Sequence, residues 1–494
     1  MMQLSKSDYM MFLKHPAWLW LKKHNPEKLP PIDANVQAIF DAGHAFEAYA
    51  EARFPEGVKL GFNGFTEYRA LTARTQSTLN DNAKTIFQGR VEADELTCIF
   101  DILDRTGKNT FDLYEVKSST KDKPEHIDDL AFQKIVLERA GLAIEKISVI
   151  VVNNTYTLHG NIEAKAITQI IELTEKVTAK LAETEQKIKQ ALTVMKSSER
   201  PDISPRHAQQ QYLKEWLEIF YTLKLNTDAY NIYQINPPNN DLIGELEDQG
   251  IELIKHIPDR FEFDNAKHRR QVELTRLEKP VIQLEQIRTF LKSFQFPLYF
   301  FDYETIGGII PPMNEMRPFQ QLPMEYSLHI LREPDGELEH REFLHFDTTN
   351  PGPPLVTQLR EDFGEIGTIL VWNEKFEKQC NLDLGEMFPE HRAFMKSLNT
   401  RIIDLMLPFS AHWYEDYRFF GSASIKKILP VLVPKLSYAT LNIQEGQTAQ
   451  RLWMETVLNG KYADRREQIK KDLLHYCELD TLAMVRIYEQ LLEL

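Results

Sequence analysis

Two short strings toward the end of the chain hold residue types and spacings suited to metal-assisted hydrolysis: Phe301-Asp302-Tyr303-Glu304-Thr305 and Tyr476-Cys477-Glu478-Leu479-Asp480. The first continues an apolar run from Leu298 that reads as a buried strand. Side chains two apart on a strand share a face, so Asp302 and Glu304 converge on one spot. Converging carboxylates in apolar surroundings repel each other unless a cation lies between them. The second string places Tyr476 and Asp480 one turn apart on one face of a helix. A strand that offers two acids, joined by a helix that offers Tyr and Asp, is what a two-metal phosphodiesterase centre needs.

Three further segments fit the same centre. Thr368–Trp372 reads as a buried strand that runs into Asn373-Glu374-Lys375-Phe376-Glu377, where a helix would begin and bring Glu377 to the strand end. Ile402-Ile403-Asp404-Leu405 puts another acid beside an apolar run, and Gly421–Lys427 reads as a capped helix start. Together these strings resemble the DEDD exonuclease superfamily, with its ribonuclease H-like fold. The resemblance implies that Asp302 and Glu304 form the first motif, Glu377 replaces the Asp of the second, and Asp480 is the Asp of the third. Tyr476 takes the water-orienting place of the Tyr-type branch, and Asp404 a supporting one. It also implies divalent ions, Mg²⁺ or Mn²⁺, held by the four acids, and 3′ to 5′ polarity.

A second constellation lies near the start of the chain. Glu115 and Lys117 alternate on one strand face, beside Asp101 if the two strands pair as a hairpin; Asp104 competes for that place. Two carboxylates can bind a divalent ion, and a neighbouring Lys can polarise a nucleophile or offset phosphate charge. Asp101, Glu115-Val116-Lys117 and the helical Gln133 resemble the RecB-like branch of the PD-(D/E)xK nucleases. Glu47, four residues after Gly43, stands where relatives often carry His. Some relatives anchor an iron–sulfur cluster through cysteines. The matching stretches, 12–18 and 204–209, hold His but no Cys, so no cluster is expected, and Trp18, Trp20, Trp216 and Tyr221 would staple the region by packing.

The elements that must position these residues form an α/β pattern. A helix capped by Ser5, a helix over 42–53, strands at 91–103, 111–117 and 147–152, and a helix at 130–140 are expected first. A charged helix over 162–196 follows, and strands at 298–303, 325–332, 339–346 and 368–372 come later. The resulting division is a RecB-like domain over 1–200, a helical or irregular connector over 201–285, and a ribonuclease H-like domain over 286–494. The order of both modules resembles a bacterial family known only as a domain of unknown function, and 317–329 matches its characteristic stretch.

Composition bounds the rest. The chain has 494 residues and 43% hydrophobic content, enough for two to four cores. There is no apolar stretch of membrane-spanning length and no secretory signal, so a cytoplasmic protein without membrane contact is expected. Three scattered cysteines exclude a disulfide framework. A net charge of −15 argues against a long non-specific nucleic-acid footprint, leaving Lys267, Arg269, Arg270, Arg465 and Arg466 as candidates for a local phosphate track. The expected function is a metal-dependent nuclease acting on DNA in preference to RNA, in DNA processing or phage defence. The alternatives are a single live site with the other domain as a nucleic-acid clamp, and a non-enzymatic binding scaffold.

Overall fold

The computed structural model describes residues 2–224 and 229–494. The chain divides into two compact units, Met1–Asp228 with Pro238–Gly250, and Ala229–Pro237 with Ile251–Leu494. The 201–285 segment is therefore no separate connector. Residues 201–224 and 238–250 join the first unit, where the Trp216 indole donates to the Ile203 carbonyl at 3.0 Å. Residues 229–237 and 251–285 join the second, where the Asn236 side chain donates to Gly421 at 3.1 Å.

The first unit is built on a mixed sheet of β1 (Leu4–Ser5), β2 (Gly57–Lys59), β3 (Thr85–Ala93), β4 (Leu96–Arg105), β5 (Thr110–Val116), β6 (Ala143–Val152) and β7 (Thr168–Glu172). Its order is β2-β3-β4-β5-β6-β7, with β1 beside β4. The single strand expected over 91–103 is two strands, β3 and β4, that turn at Asp94. Asp94 takes φ 55° there, a left-handed conformation that Asp tolerates. The turn, in Glu92-Ala93-Asp94-Glu95, holds neither Gly nor Pro and so leaves little trace in the sequence. The charged segment 162–196 is not one helix: a short turn, Ala164–Ile167, leads into β7, which pairs antiparallel with β6, and only then does helix Thr174–Lys196 begin. That helix and Pro124–Arg139 cover the sheet, with Phe132 stacked on Tyr9 at 4.9 Å. Ser5 does cap its helix, accepting from Asp8 N–H at 3.2 Å.

The second unit holds a two-stranded ribbon of β8 (Val281–Ile282) and β14 (Tyr414–Glu415) beside a five-stranded sheet. The sheet comprises β9 (Leu298–Ile306), β10 (Leu322–Leu331), β11 (Leu338–Leu344), β12 (Thr368–Val371) and β13 (Ile402–Asp404). Its order is β11-β10-β9-β12-β13: three antiparallel strands continued by two that run parallel to β9. Alternation along β9 splits its aromatic run. Phe301 and Tyr303 face Phe363 and Asn381 on one side, while Phe300 meets Tyr488 of helix Arg466–Leu492 on the other. The sheet sits in a core of aromatic and branched residues, so β9 is buried on both faces and the polar side chains it carries stand out. Among the described residues no helix is long and apolar enough to cross a membrane.

Candidate active site

Helix Arg466–Leu492 lies across β9 and β10, with the Cys477 thiol 3.8 Å from the Asp302 carbonyl oxygen. This seat brings Asp480 to Asp302 and Glu304. Ligand oxygens of the three carboxylates lie within 4.8 Å of one another. Glu377 enters from the first turn of helix Glu374–Met387, which starts directly after β12 at Asn373, a residue in left-handed conformation. The Asp302 and Glu377 carboxyl groups share a hydrogen bond, and Glu377, 1% exposed, keeps one oxygen without a partner. Asp404 does not line the cleft. It accepts from the backbone N–H groups of Asn373 (3.1 Å), Glu374 (3.2 Å) and Met406 (2.9 Å), and so fixes the start of the helix that carries Glu377.

The cleft these residues share has a volume of about 330 Å³. Trp372 and Phe376 supply apolar lining, Tyr476 and Gln450 supply polar lining, and Lys426 adds a positive charge. Gly446 opens helix Gly446–Val457 against the acids; a Cβ there would stand 3.4 Å from Glu304 Oε2.

The electrostatics follow from crowding acids in a dry place. Burial, then repulsion from Asp480, pushes the Asp302 carboxyl far above its ordinary range; burial, then Asp302, does the same to Glu304 and to Glu377. Asp480 rises less, to about 6: burial lifts it, while a hydrogen bond from Tyr438, the charge of Lys426 and the Tyr476 hydroxyl pull it back. Burial and the neighbouring acids hold the Tyr476 phenol protonated far above neutral pH, so it can orient water but not act as a base.

Two residues here carry no signal in the sequence. Tyr438, in a short turn between helices, donates to Asp480 Oδ1 at 2.5 Å. Glu325 on β10 pairs in register with Glu304, is 0% exposed, and has neither carboxylate oxygen hydrogen-bonded. Its string, Pro-Met-Glu-Tyr-Ser, reads as an ordinary strand with one polar residue; only the register reveals where that acid points.

The first unit also gathers its expected residues, but differently. Asp101 Oδ2 accepts from Val116 N–H at 2.8 Å, which sets it next to Glu115, whereas Asp104 turns to Lys84 and Thr85 and leaves the site. Glu115 is engaged through both oxygens. Its Oε1 accepts from Lys6 (2.7 Å) and Lys117 (2.9 Å), and its Oε2 from the Gln133 amide (2.7 Å). Asp129 completes the knot, accepting from Lys117 at 2.6 Å and Gln133 at 2.8 Å. Burial opposes the Glu115 charge, but Lys117 and Lys6 outweigh it and hold the carboxyl well below its ordinary range. Burial and the Glu115 charge lift Asp101 to about 8. Glu47 reaches Asp101 only through Gln88, whose amide donates to Glu47 at 3.0 Å and approaches Asp101 at 3.5 Å. Gln88 stands opposite Asp101 in the unbroken β3–β4 register and takes φ 54° there. Lys6 and Asp129 were not among the expected site residues. Asp129 lies in the same helical string as Gln133, while Lys6 is far away in sequence.

The histidine in the 12–18 stretch, His15, caps helix Pro16–His24 by accepting from Ala17 N–H at 3.0 Å, and stacks on Trp216 with ring centres 3.8 Å apart. Of the candidate phosphate-track residues, Arg270 is taken up by Glu415 and Arg466 by the Phe346 carbonyl.

Comparison with known proteins finds likeness over part of the chain. Residues 299–424 match the family described as a domain of unknown function, DUF2779. The matched segment holds Asp302, Glu304, Glu325, Glu377 and Asp404, and ends before Tyr438, Tyr476 and Asp480. The chain is also 26% identical over 205 residues to the uncharacterized protein MG366 of Mycoplasma genitalium, a match covering 38% of this chain and 31% of that protein. The Mycoplasma pneumoniae homolog of that protein is similar at 27% identity over 207 residues, with 38% and 31% covered. The match thus spans less than a third of the length of each relative.

Proposed function

We propose that this protein is a metal-dependent nuclease whose hydrolytic centre is the acidic cleft of the second unit. The observation that carries the reading is the convergence of Asp302, Glu304 and Asp480 within 4.8 Å at the floor of that cleft, with buried Glu377 beside them. Acids so placed must be neutralised by protons or by a cation. The unpartnered oxygen of Glu377 and the raised acids fit a divalent ion, Mg²⁺ or Mn²⁺, held by Asp302, Glu304, Glu377 and Asp480. Such ions supply Lewis-acid stabilisation of the charge that develops on the phosphoryl oxygens.

The chain's own residues provide the rest. Tyr476 holds the attacking water by hydrogen bonding. Lys426 offers charge to the phosphate, and Trp372 and Phe376 give a terminal base an apolar surface to stack on. A cleft sized for about one nucleotide favours removal of end residues over internal cutting, in keeping with 3′ to 5′ exonuclease action on DNA.

A specific observation separates the two units. Glu115 Oε1 accepts from both Lys6 and Lys117 and its Oε2 from Gln133, so in the first unit two lysines already neutralise the acid in an ion-pair knot, and we assign this unit a nucleic-acid clamp role. The test is digestion of end-labelled DNA and RNA, single- and double-stranded, with Mg²⁺ or Mn²⁺, by wild type, Asp302→Asn and Glu115→Gln. Loss of shortening by about 10²-fold or more in Asp302→Asn, with Glu115→Gln still cutting, is expected. Cutting by Asp302→Asn at the wild-type rate would remove the assignment.

A further inference from the structure

Beyond the acidic cleft, the same helix reaches a second cluster of ligand-type side chains. His329 on β10 and His340 on β11 are direct cross-strand partners, and one ligand atom from each lies within 4.8 Å of the Glu478 carboxylate on helix Arg466–Leu492. The two imidazoles stack with centres 4.4 Å apart. We propose that His329, His340 and Glu478 form a binding site for a zinc-class divalent ion that pins the helix Arg466–Leu492 to the β10–β11 edge of the sheet.

Hydrogen bonding supplies the argument. Thr481 donates its hydroxyl to the Glu478 carbonyl at 3.1 Å, so its oxygen serves as an acceptor for its neighbours. Those neighbours are Ser327 Oγ at 2.7 Å and His329 Nδ1 at 2.8 Å. Ser327 in turn lies 3.0 Å from His340 Nε2. When Ser327 gives its proton to Thr481, each imidazole puts its own proton into the chain, His329 from Nδ1 and His340 from Nε2. His329 Nε2 and His340 Nδ1 are then left as bare lone pairs. A ligand imidazole whose other nitrogen is anchored to a polar group is the arrangement by which proteins orient histidine on a metal. Two neutral imidazoles and one carboxylate are a borderline donor set that suits Zn²⁺ over Mg²⁺, with one coordination position left for water. His329 is buried, Glu478 half-buried and His340 exposed, so an ion can enter from the solvent side.

The site is distinct from the acidic cleft in donors and in place. Glu478 and Asp480 are two apart on the helix and point away from each other. The assignment therefore does not depend on the nuclease reading.

The experiment loads chelator-treated full-length protein with ZnCl₂ in excess Mg²⁺, desalts it and measures zinc per chain by mass spectrometry. Wild type and Asp302→Asn should each retain about one zinc, and His340→Ala and Glu478→Gln should lose it. Cobalt in place of zinc should give wild type, but not His340→Ala, a visible absorption band. His340 is exposed, so its replacement removes one stacked ring and one hydrogen bond without emptying the core, and the metal-free melting temperature of each variant verifies that it is folded before zinc is counted. The proposal is overturned if wild type retains no zinc, if His340→Ala retains as much as wild type, or if Asp302→Asn is the variant that loses it. In the first of these cases the two rings are a stacked pair and no more.

Discussion

The Tyr438 hydroxyl donates a 2.5 Å hydrogen bond to Asp480 Oδ1, so a residue from a turn between helices controls the charge of an acid on the floor of the cleft. That bond, with Lys426, keeps Asp480 near 6 while its neighbours climb higher. Tyr438→Phe should therefore raise the Asp480 pKa and weaken metal binding, at a cost of about 1–3 kcal/mol for a bond to a charged group. A titration of melting temperature against Mn²⁺ should show the midpoint shifted to higher concentration. An unchanged midpoint would mean that Tyr438 is only a packing residue.

Removing charge from the cleft should stabilise the metal-free protein. Asp302→Asn deletes one of several buried acids that repel each other, and should raise stability at alkaline pH by about 1–2 kcal/mol while abolishing cutting. Urea unfolding in chelator provides the measurement. A lower midpoint for the variant would count against mutual repulsion as the dominant force there.

The same crowding fixes a pH dependence. For an acid whose folded pKa is raised, the protonated form is favoured by folding. Its contribution is fully present below the unfolded carboxylate value of about 4 and is lost as pH rises through the folded value. Asp480 passes that point at about 6, and Asp302, Glu304 and Glu377 pass it higher. The rise in melting temperature produced by Mn²⁺ should accordingly be small near about pH 5 and grow toward about pH 8. A metal increment that stays flat across this range would contradict the assignment of these acids as ligands.

In the first unit, Lys6 is the unexpected partner of Glu115. Its side chain is 22% exposed, so Lys6→Met should cost about 2 kcal/mol, less than the loss for a wholly buried pair. Lys6→Met combined with Glu115→Gln should recover part of that loss, because the uncompensated acid is gone. A double-mutant cycle in urea reads the coupling, and strict additivity would dissolve the knot as an energetic unit.

Asp404→Ala should loosen the start of helix Glu374–Met387 by about 1–2 kcal/mol, the range for a lost helix cap. Glu377 would lose its fixed approach, so the variant should need more Mn²⁺ for half-maximal digestion. Normal digestion with lowered stability would limit Asp404 to a purely structural part.

What could be read from the sequence, and what could not, divides along local and non-local lines. The pairing of Asp302 with Glu304 and of Tyr476 with Asp480 follows from the period of one element, and the structure sets each pair on one face. That Asp101 lies beside Glu115 follows from the pairing of β4 with β5 as a hairpin, whereas the turn at Asp94, between β3 and β4, has neither Gly nor Pro to mark it. Glu325 and Lys6 had no such signal. One becomes important through strand register, the other through β1 lying beside β4, and both depend on contacts between distant parts of the chain. β7, Thr168-Gln169-Ile170-Ile171-Glu172, is only five residues long and runs into the following helix with no Gly or Pro between them, so nothing in the sequence separates the two.

The helix Arg466–Leu492 works like a reading frame shared by two messages. Tyr476 and Asp480 are read on one side, Glu478 and Thr481 on another, and all four are set by a single register against β9 and β10. One residue inserted before Tyr476 would turn every later side chain by about 100°. The acidic cleft and the histidine cluster would be lost together, whereas the same insertion in the turn that carries Tyr438 would reach only the first. Length variation between homologous chains should therefore be absent from this helix and tolerated in the loops that precede it.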